Sequence, residues 1–91
     1  SNIVDIYNLT SNSWSIAKLS IARKDLAATS IRNLAFFAGG YNKEGYSGIV
    51  DIYNLTSNSW STAKLSIARK DLAAISIRNL VFFAGGWNGT F

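Results

Sequence analysis

Neither cysteine nor histidine occurs among the 91 residues of the chain. Disulfide staples, zinc knuckles, thiol nucleophiles and imidazole general bases are therefore all excluded. Charge is scarce as well: 15% of the residues are Asp, Glu, Lys or Arg, against about 25% in an ordinary globular chain. With 48% hydrophobic residues, the composition is that of one compact folded unit and excludes a disordered tail. Long apolar runs are missing too. The longest are a few residues, far short of the roughly 20 needed to cross a bilayer, and no charged segment followed by an apolar one opens the chain. The sequence reads as soluble, without a membrane partner or a visible address, with the cytoplasm slightly favoured. The net charge of +4 comes from nine Lys and Arg against five acids scattered along the chain. That scatter, with no nucleic-acid motif, argues against a nucleic-acid partner.

What is present is repetition. Ile3 to Gly40 and Ile49 to Gly86 align without gaps at an offset of 46 residues, and 35 of the 38 aligned positions are identical. The differences are Ile16 against Thr62, Thr29 against Ile75 and Ala35 against Val81, changes that a packed strand accepts. Identity at this level means recent duplication or deliberate design.

Each period holds four short strand candidates bounded by turn residues and no segment with a helical period. Leu26 to Ile31 is the first, small-residued and suited to a crowded position. A short Arg32-Asn33 turn leads to the second, Leu34 to Ala38, which ends in Gly39-Gly40. After a loop from Tyr41 to Gly48 comes Ile49 to Tyr53, rich in β-branched residues. The segment from Asn54 to Ser59 has turn composition and leads to the fourth strand, Trp60 to Ala63. The continuous apolar stretches predict sheets covered on both faces. A four-strand period of about 46 residues is that of a β-propeller blade, a unit that cannot bury its own faces and is stabilised by stacking on its neighbours. The predicted fold class is all-β, with two equivalents of a four-stranded antiparallel blade in the chain. Ala27 and Ala28 would sit on the inner strand and the Trp-bearing strand outside.

Particular residues carry a family resemblance. Arg23 opens the first strand, Gly39-Gly40 closes the second, Val50-Asp51-Ile52-Tyr53 forms the third, and Trp60 follows. The order resumes with Arg69 and Gly85-Gly86, while Val4-Asp5-Ile6-Tyr7 and Trp14 form the second half of a preceding unit. In this order and register, these motifs resemble the kelch repeat over essentially the whole chain. Departures are mild: Asp51 stands where the family often has Glu, Asn54 where Asp is common, and Ala22 where Pro is frequent. The resemblance implies half a blade at residues 1–22, a full blade at 23–68 and the complementary half at 69–91.

The motif residues read first as structural. Gly39, Gly40, Gly85 and Gly86 would allow positive φ or close approach of a neighbouring blade, since no helix N-terminus follows that could cradle a phosphate. Tyr7, Tyr53, Trp14 and Trp60 would pack between blades, their polar tips hydrogen-bonded. Arg23 and Arg69 would bridge backbone carbonyls between blades or face a ligand. Because the strands alternate direction, the loop from Tyr41 to Gly48 and the connection between blades fall at one end. That end gathers the candidate binding residues Arg23, Lys24, Tyr41, Asn42 and Tyr46, with Arg69, Lys70, Trp87 and Asn88 in the next unit. The kelch resemblance makes such a loop face a protein- or peptide-binding surface, and aromatics beside Lys and Arg suit an acidic peptide.

Catalysis finds little support. Some kelch-like propellers are copper oxidases, but their cofactor chemistry uses His and Cys, which this chain lacks. Its five carboxylates form no defensible acid and base pair, so catalytic, metal and cofactor residues are all assigned none. The expected function is a non-enzymatic scaffold or protein-interaction module, engineered at this length or excised from a longer array. A multivalent sugar-binding propeller using Trp87, Tyr41 and Asn side chains is the alternative. Asn8-Leu-Thr10, Asn54-Leu-Thr56 and Asn88-Gly-Thr90 match glycosylation acceptors, a pattern that turns use anyway.

The order of halves also predicts self-association. One copy's C-terminal half could complete another's N-terminal half. Eight residues, Tyr41 to Gly48, make the internal loop, and Trp87 to Phe91 with Ser1-Asn2 of a second copy would supply seven. A head-to-tail contact repeated by rotation closes a ring. Three chains and six blades are preferred, four or eight blades being alternatives within the roughly four to eight of known propellers.

Overall fold

The computed structural model describes residues 1–90 of the chain; Phe91, part of the predicted C-terminal half and of the predicted joint between copies, lies outside the described residues. Strands β1 (Ile3–Asn8) and β2 (Ser13–Lys18) form a hairpin, followed by β3 (Ala27–Ile31) and β4 (Leu34–Ala38). Then come the two-residue strands β5 (Tyr41–Asn42) and β6 (Gly45–Tyr46), then β7 (Ile49–Asn54), β8 (Ser59–Lys64), β9 (Ala73–Ile77) and β10 (Leu80–Ala84). The central unit is a four-stranded antiparallel sheet in the order β3-β4-β7-β8, and β1-β2 and β9-β10 are separate two-stranded sheets. No helix among the described residues is long and apolar enough to cross a membrane.

The strands begin and end close to the expected positions. Turn chemistry explains why. At the end of β7, Asn54 Oδ1 accepts the Thr56 and Ser57 amides at 2.9 and 3.2 Å, an Asx turn that stops the strand. Asn58 then takes φ of 52°, a left-handed conformation that Asn tolerates better than most residues. The hydroxyl of Tyr53 donates to Asn58 Oδ1 and pins the turn to its strand. Asn8, Asn12 and Tyr7 repeat the arrangement in the first hairpin.

Register follows the apolar pattern. Phe36 stands opposite Ile52 and Ala38 opposite Val50 across β4 and β7. Tyr53 faces Trp60 across β7 and β8. The buried apolar residues are small or aliphatic: Leu19, Ala27, Ala38, Val50 and Leu72. Ala27, Ala38 and Val50 belong to the central sheet, Leu19 to the segment that leads into it, and Leu72 to the next unit.

The C-terminal hairpin stands beside the central sheet at its β3 edge. Asp71 N donates to Asp25 O at 2.8 Å, Ser76 Oγ to Ser30 O at 2.7 Å, and the Phe36 and Phe83 rings meet edge to face at 6.3 Å. The first strand of one repeat therefore sits against the first strand of the next.

Two expectations are revised. The loop from Tyr41 to Gly48 contains the small β5-β6 hairpin, with Gly45 at φ of 121° in its turn; two-residue strands lie below the length at which alternation can be read. Sheets covered on both faces are found only in part, because Ile75, Ile77, Leu80 and Phe82 of the last hairpin and Ile3, Ile6 and Tyr7 of the first are exposed.

Candidate functional site

One buried ion pair organises the loop end of the central sheet. Arg23 precedes β3, and its guanidinium turns inward beneath the loops. Nε donates to Gly39 O at 2.6 Å, Nη2 to Phe37 O at 3.0 Å, and Nη1 to Ile21 O at 3.2 Å and to Asp51 Oδ2 at 3.0 Å. The same carboxylate oxygen accepts Ser20 N at 3.3 Å. Arg23 and Asp51 are 4% and 2% exposed, so both charges depend on these partners. No buried side-chain polar atom among the described residues lacks a hydrogen bond. The planar, five-donor guanidinium alone can hold three carbonyls and a carboxylate at once.

Gly39 and Gly40 make room for this node. They take φ of 73° and 109°, and a Cβ on Gly40 would lie 2.7 Å from the Lys24 carbonyl oxygen. A Cβ on Gly39 would lie 2.5 Å from the Arg69 carbonyl oxygen of the next unit. Close approach between units and positive φ are thus both required here, as expected.

Above the node lies the loop face. Lys24 and Tyr41 exchange backbone hydrogen bonds of 2.9 and 2.8 Å, and Lys70 and Trp87 repeat that exchange at 2.9 and 2.8 Å. Two ammonium groups approach one ring: Lys24 Nζ and Lys70 Nζ lie 5.9 and 5.5 Å from the Tyr41 centroid, within the range of cation–π attraction. Tyr46 packs on Tyr41 at 5.2 Å between ring centroids. Asn42 Nδ2 donates to Ala22 O at 3.1 Å, tying this loop to the connection between units. Arg23, Lys24, Tyr41, Asn42 and Lys43, with Ser1 and Ala22, line an open depression of about 500 Å³. Asn88 Oδ1 accepts the Thr90 amide at 2.9 Å, and Trp87 is exposed.

The structure thus gathers Lys24, Tyr41, Asn42, Tyr46 and Lys70 on one face, with Trp87 and Asn88 on the loop beside it. Arg23 lines the same depression from below, but its guanidinium is turned away from the loop face. Its head is buried below the loops with all three nitrogens of its fork in use; it holds carbonyls, as one of its two sequence readings has it, but those of Phe37 and Gly39 belong to its own unit and only that of Ile21 to the connection before it. Arg69 is aimed the same way, at Gly85 O, Ile67 O and Phe83 O. Sequence reasoning passed over Asp25 and Asp71. Both take left-handed φ, 59° and 57°, and their carboxylates approach Lys70 Nζ at 3.8 and 3.9 Å. Their recurrence one residue after each loop lysine was the available signal.

The aromatic motif residues also differ from expectation. Tyr7 with Trp14 and Tyr53 with Trp60 are cross-strand partners within one hairpin, at centroid distances of 5.1 and 5.2 Å, rather than packing groups between units. Trp60 adds a contact with Phe37 of the same sheet at 6.1 Å.

No group of three or more acidic, His or Cys side chains able to hold a metal is found among the described residues. No curated protein matches the chain. Residues 22–64 match the family model described as the Kelch motif. That span opens at Ala22, just before Arg23, includes Gly39-Gly40 and Asp51, and closes on Lys64, the last residue of β8, so the matched segment is the central four-stranded sheet with its ion-paired node. This unit of the chain is a kelch repeat.

Proposed function

We propose that the protein is a non-enzymatic kelch interaction scaffold whose chains join head to tail into a closed propeller, with three chains forming six blades. The observation that carries this reading is the relation between the two end hairpins. β9-β10 has the sequence of β3-β4 and β1-β2 that of β7-β8, apart from the three differing positions, so the ends are complementary halves of the sheet completed in the middle. Both leave an unpaired strand edge, at β10 and at β1, beside exposed apolar side chains. Open edges with apolar flanks favour strand pairing between molecules. Solution mass by light scattering over a dilution series tests this. A sharp species of three chain masses is expected; two or four would change the blade number, and a monomer throughout would defeat the reading.

The loop face is the binding surface of such a scaffold, and an acidic protein or peptide suits it. Tyr41 and Trp87 supply aromatic anchors, and Lys24 is exposed and free of ion pairs among the described residues. Lys70 is partly neutralised by Asp25 and Asp71, leaving Lys24 as the cation a carboxylate would meet first. Binding of a fluorescent acidic peptide library, weakened by added salt and by Lys24→Ala, is the expected result. Glycan-array binding lost on Trp87→Ala would instead establish the sugar-binding alternative.

A further inference from the structure

We infer that Arg69 and Asp5 are the two halves of one ion-pair latch, closed between the C-terminal hairpin of one copy and the N-terminal hairpin of a second. The inference rests on the proposed self-assembly and deepens it by assigning the residues and the register of the joint.

Arg23 and Arg69 are equivalent in the repeat, and their surroundings agree contact by contact. Arg23 donates to the carbonyls of Gly39, Ile21 and Phe37; Arg69 donates to those of Gly85, Ile67 and Phe83, at 2.7, 3.0 and 3.0 Å. The guanidinium of Arg69 is thus already oriented by three backbone acceptors. It differs in one respect. Arg23 also holds Asp51 of β7, whereas no carboxylate stands against Arg69 among the described residues. The complementary deficit lies at the other end. Asp5 is the repeat equivalent of Asp51, yet it is exposed and without an ion pair among the described residues.

Strand pairing brings the two together without a new geometry. In the central sheet Leu34, Ala35, Phe36, Phe37 and Ala38 face Asn54, Tyr53, Ile52, Asp51 and Val50. Transferred by the repeat offset, the free edge of β10 meets the free edge of β1 with Phe83 opposite Asp5 and Ala84 opposite Val4. Since Arg69 Nη2 already holds the Phe83 carbonyl, that register carries Asp5 to the guanidinium. A slip of one residue would turn Asp5 to the opposite face of the sheet, so the latch and the register enforce each other.

The same joint completes the loop face. Tyr41 lies between Lys24, its backbone partner, and Lys70 of the following unit. Trp87 has Lys70 as its backbone partner, and Lys24 of a second copy would take the position that Lys70 holds over Tyr41. Each joint therefore adds a second aromatic and lysine site, one that a single chain lacks.

The absence of cysteine makes the register directly testable. Val4→Cys with Ala84→Cys places two thiols at facing positions of the joint; Ile3→Cys with Ala84→Cys is the slipped control. Under mild oxidation the first variant is expected to give covalent multimers of the solution mass of the unmodified protein, and the control to stay as single chains on a non-reducing gel. In parallel, Asp5→Asn is expected to raise the midpoint concentration of assembly by tenfold or more, while leaving the circular dichroism of the dilute chain unchanged because Asp5 is exposed there. If the unmodified protein is monomeric at every concentration, the assembly and the latch both fail. If it assembles, but the slipped control crosslinks equally well or Asp5→Asn keeps its midpoint, the assembly stands and the latch is overturned.

Discussion

The hairpins β1-β2 and β7-β8 differ at one residue in sixteen, Ile16 against Thr62, yet they occupy different environments. Val50 and Asp51 are buried, with β4 on one side and β8 on the other; Val4 is half-buried and Asp5 exposed. Trp14 is 70% exposed, while Trp60 is half-buried against Phe37. The hairpin geometry survives the difference: the cross-strand register is the same in both, and the Tyr–Trp ring distances agree at 5.1 and 5.2 Å. Local sequence therefore sets strand, turn and register, and the neighbouring strand sets burial. In a repeat protein much of the folding energy resides in contacts between units, so identical residues can carry large or negligible weight according to position.

The sharpest way to break this comparison is to remove the carboxylate from each hairpin in dilute solution. Asp51→Asn leaves the guanidinium of Arg23 buried without its counter-charge, and losing one partner of a buried pair costs about 3–5 kcal/mol. Asp5→Asn in the dilute single chain should change stability by less than about 0.5 kcal/mol, as exposed sites do. Urea melts monitored by circular dichroism would measure both, and equal losses would show that the two environments are alike.

Glycine gives a second contrast, independent of charge. Gly39 and Gly85 share φ of 73°, so alanine meets the same backbone strain at each, about 1–2 kcal/mol. At Gly39 the added Cβ also meets Arg69 O at 2.5 Å and Leu72 Cδ2 at 2.8 Å, whereas at Gly85 it meets nothing within 4 Å. Gly39→Ala is expected to cost at least about 2 kcal/mol more than Gly85→Ala, in line with overpacking elsewhere. A thermal melt comparing the two variants isolates the contact between units, and the gap should narrow on assembly if the joint repeats that contact.

The aromatic pairs rank next. Trp60→Ala removes contacts with both Tyr53 and Phe37, and Trp14→Ala removes only that with Tyr7. At about 0.5–1.5 kcal/mol per aromatic pair beyond area burial, Trp60→Ala should be the more costly by about 1 kcal/mol, plus the apolar area that Trp60 keeps from water. Chemical denaturation midpoints would decide, and a larger effect at Trp14 would mean that β1-β2 packs on something further.

Much of this architecture was legible because each repeat states it twice. The strands from Leu34 and Ile49 announced themselves by apolar and β-branched runs, and Gly39-Gly40 by the positive φ that such a pair allows. The direction of Arg23 was legible only as one of two alternatives. Whether a guanidinium turns toward solvent or into the sheet end depends on three carbonyls brought from Ile21, Phe37 and Gly39, a convergence created by the fold. The exposure of Asp5 and Trp14 is implied by the order of the half-blades and not by their own residues, since their sequence matches that of better-covered equivalents and the lack of an adjacent strand distinguishes them. The β5-β6 hairpin was too short for periodicity to mark. On the loop face, sequence gathered the lysines and aromatics but passed over Asp25 and Asp71, whose carboxylates come close to Lys70 only once neighbouring units stand side by side.

The smallest expected effect separates the two lysines that flank Tyr41. Lys70 approaches Asp25 of the preceding unit at 3.8 Å and Asp71 at 3.9 Å; Lys24 has no such pair among the described residues. Ion pairs of this partly exposed kind contribute from about 0 to 1 kcal/mol, and the cation–π contact adds about 0.5 kcal/mol at an exposed site. Lys70→Ala should therefore lower stability by about 0.5–1 kcal/mol, Lys24→Ala by less, and only the former loss should shrink as salt is raised, because screening weakens the pair that spans the units. Binding should show the reverse ranking. Lys24, unencumbered by carboxylates, is expected to contribute more than Lys70 to capture of an acidic peptide. Measuring melts and peptide titrations on the same two variants separates the lysine that joins the repeats from the lysine that meets a partner.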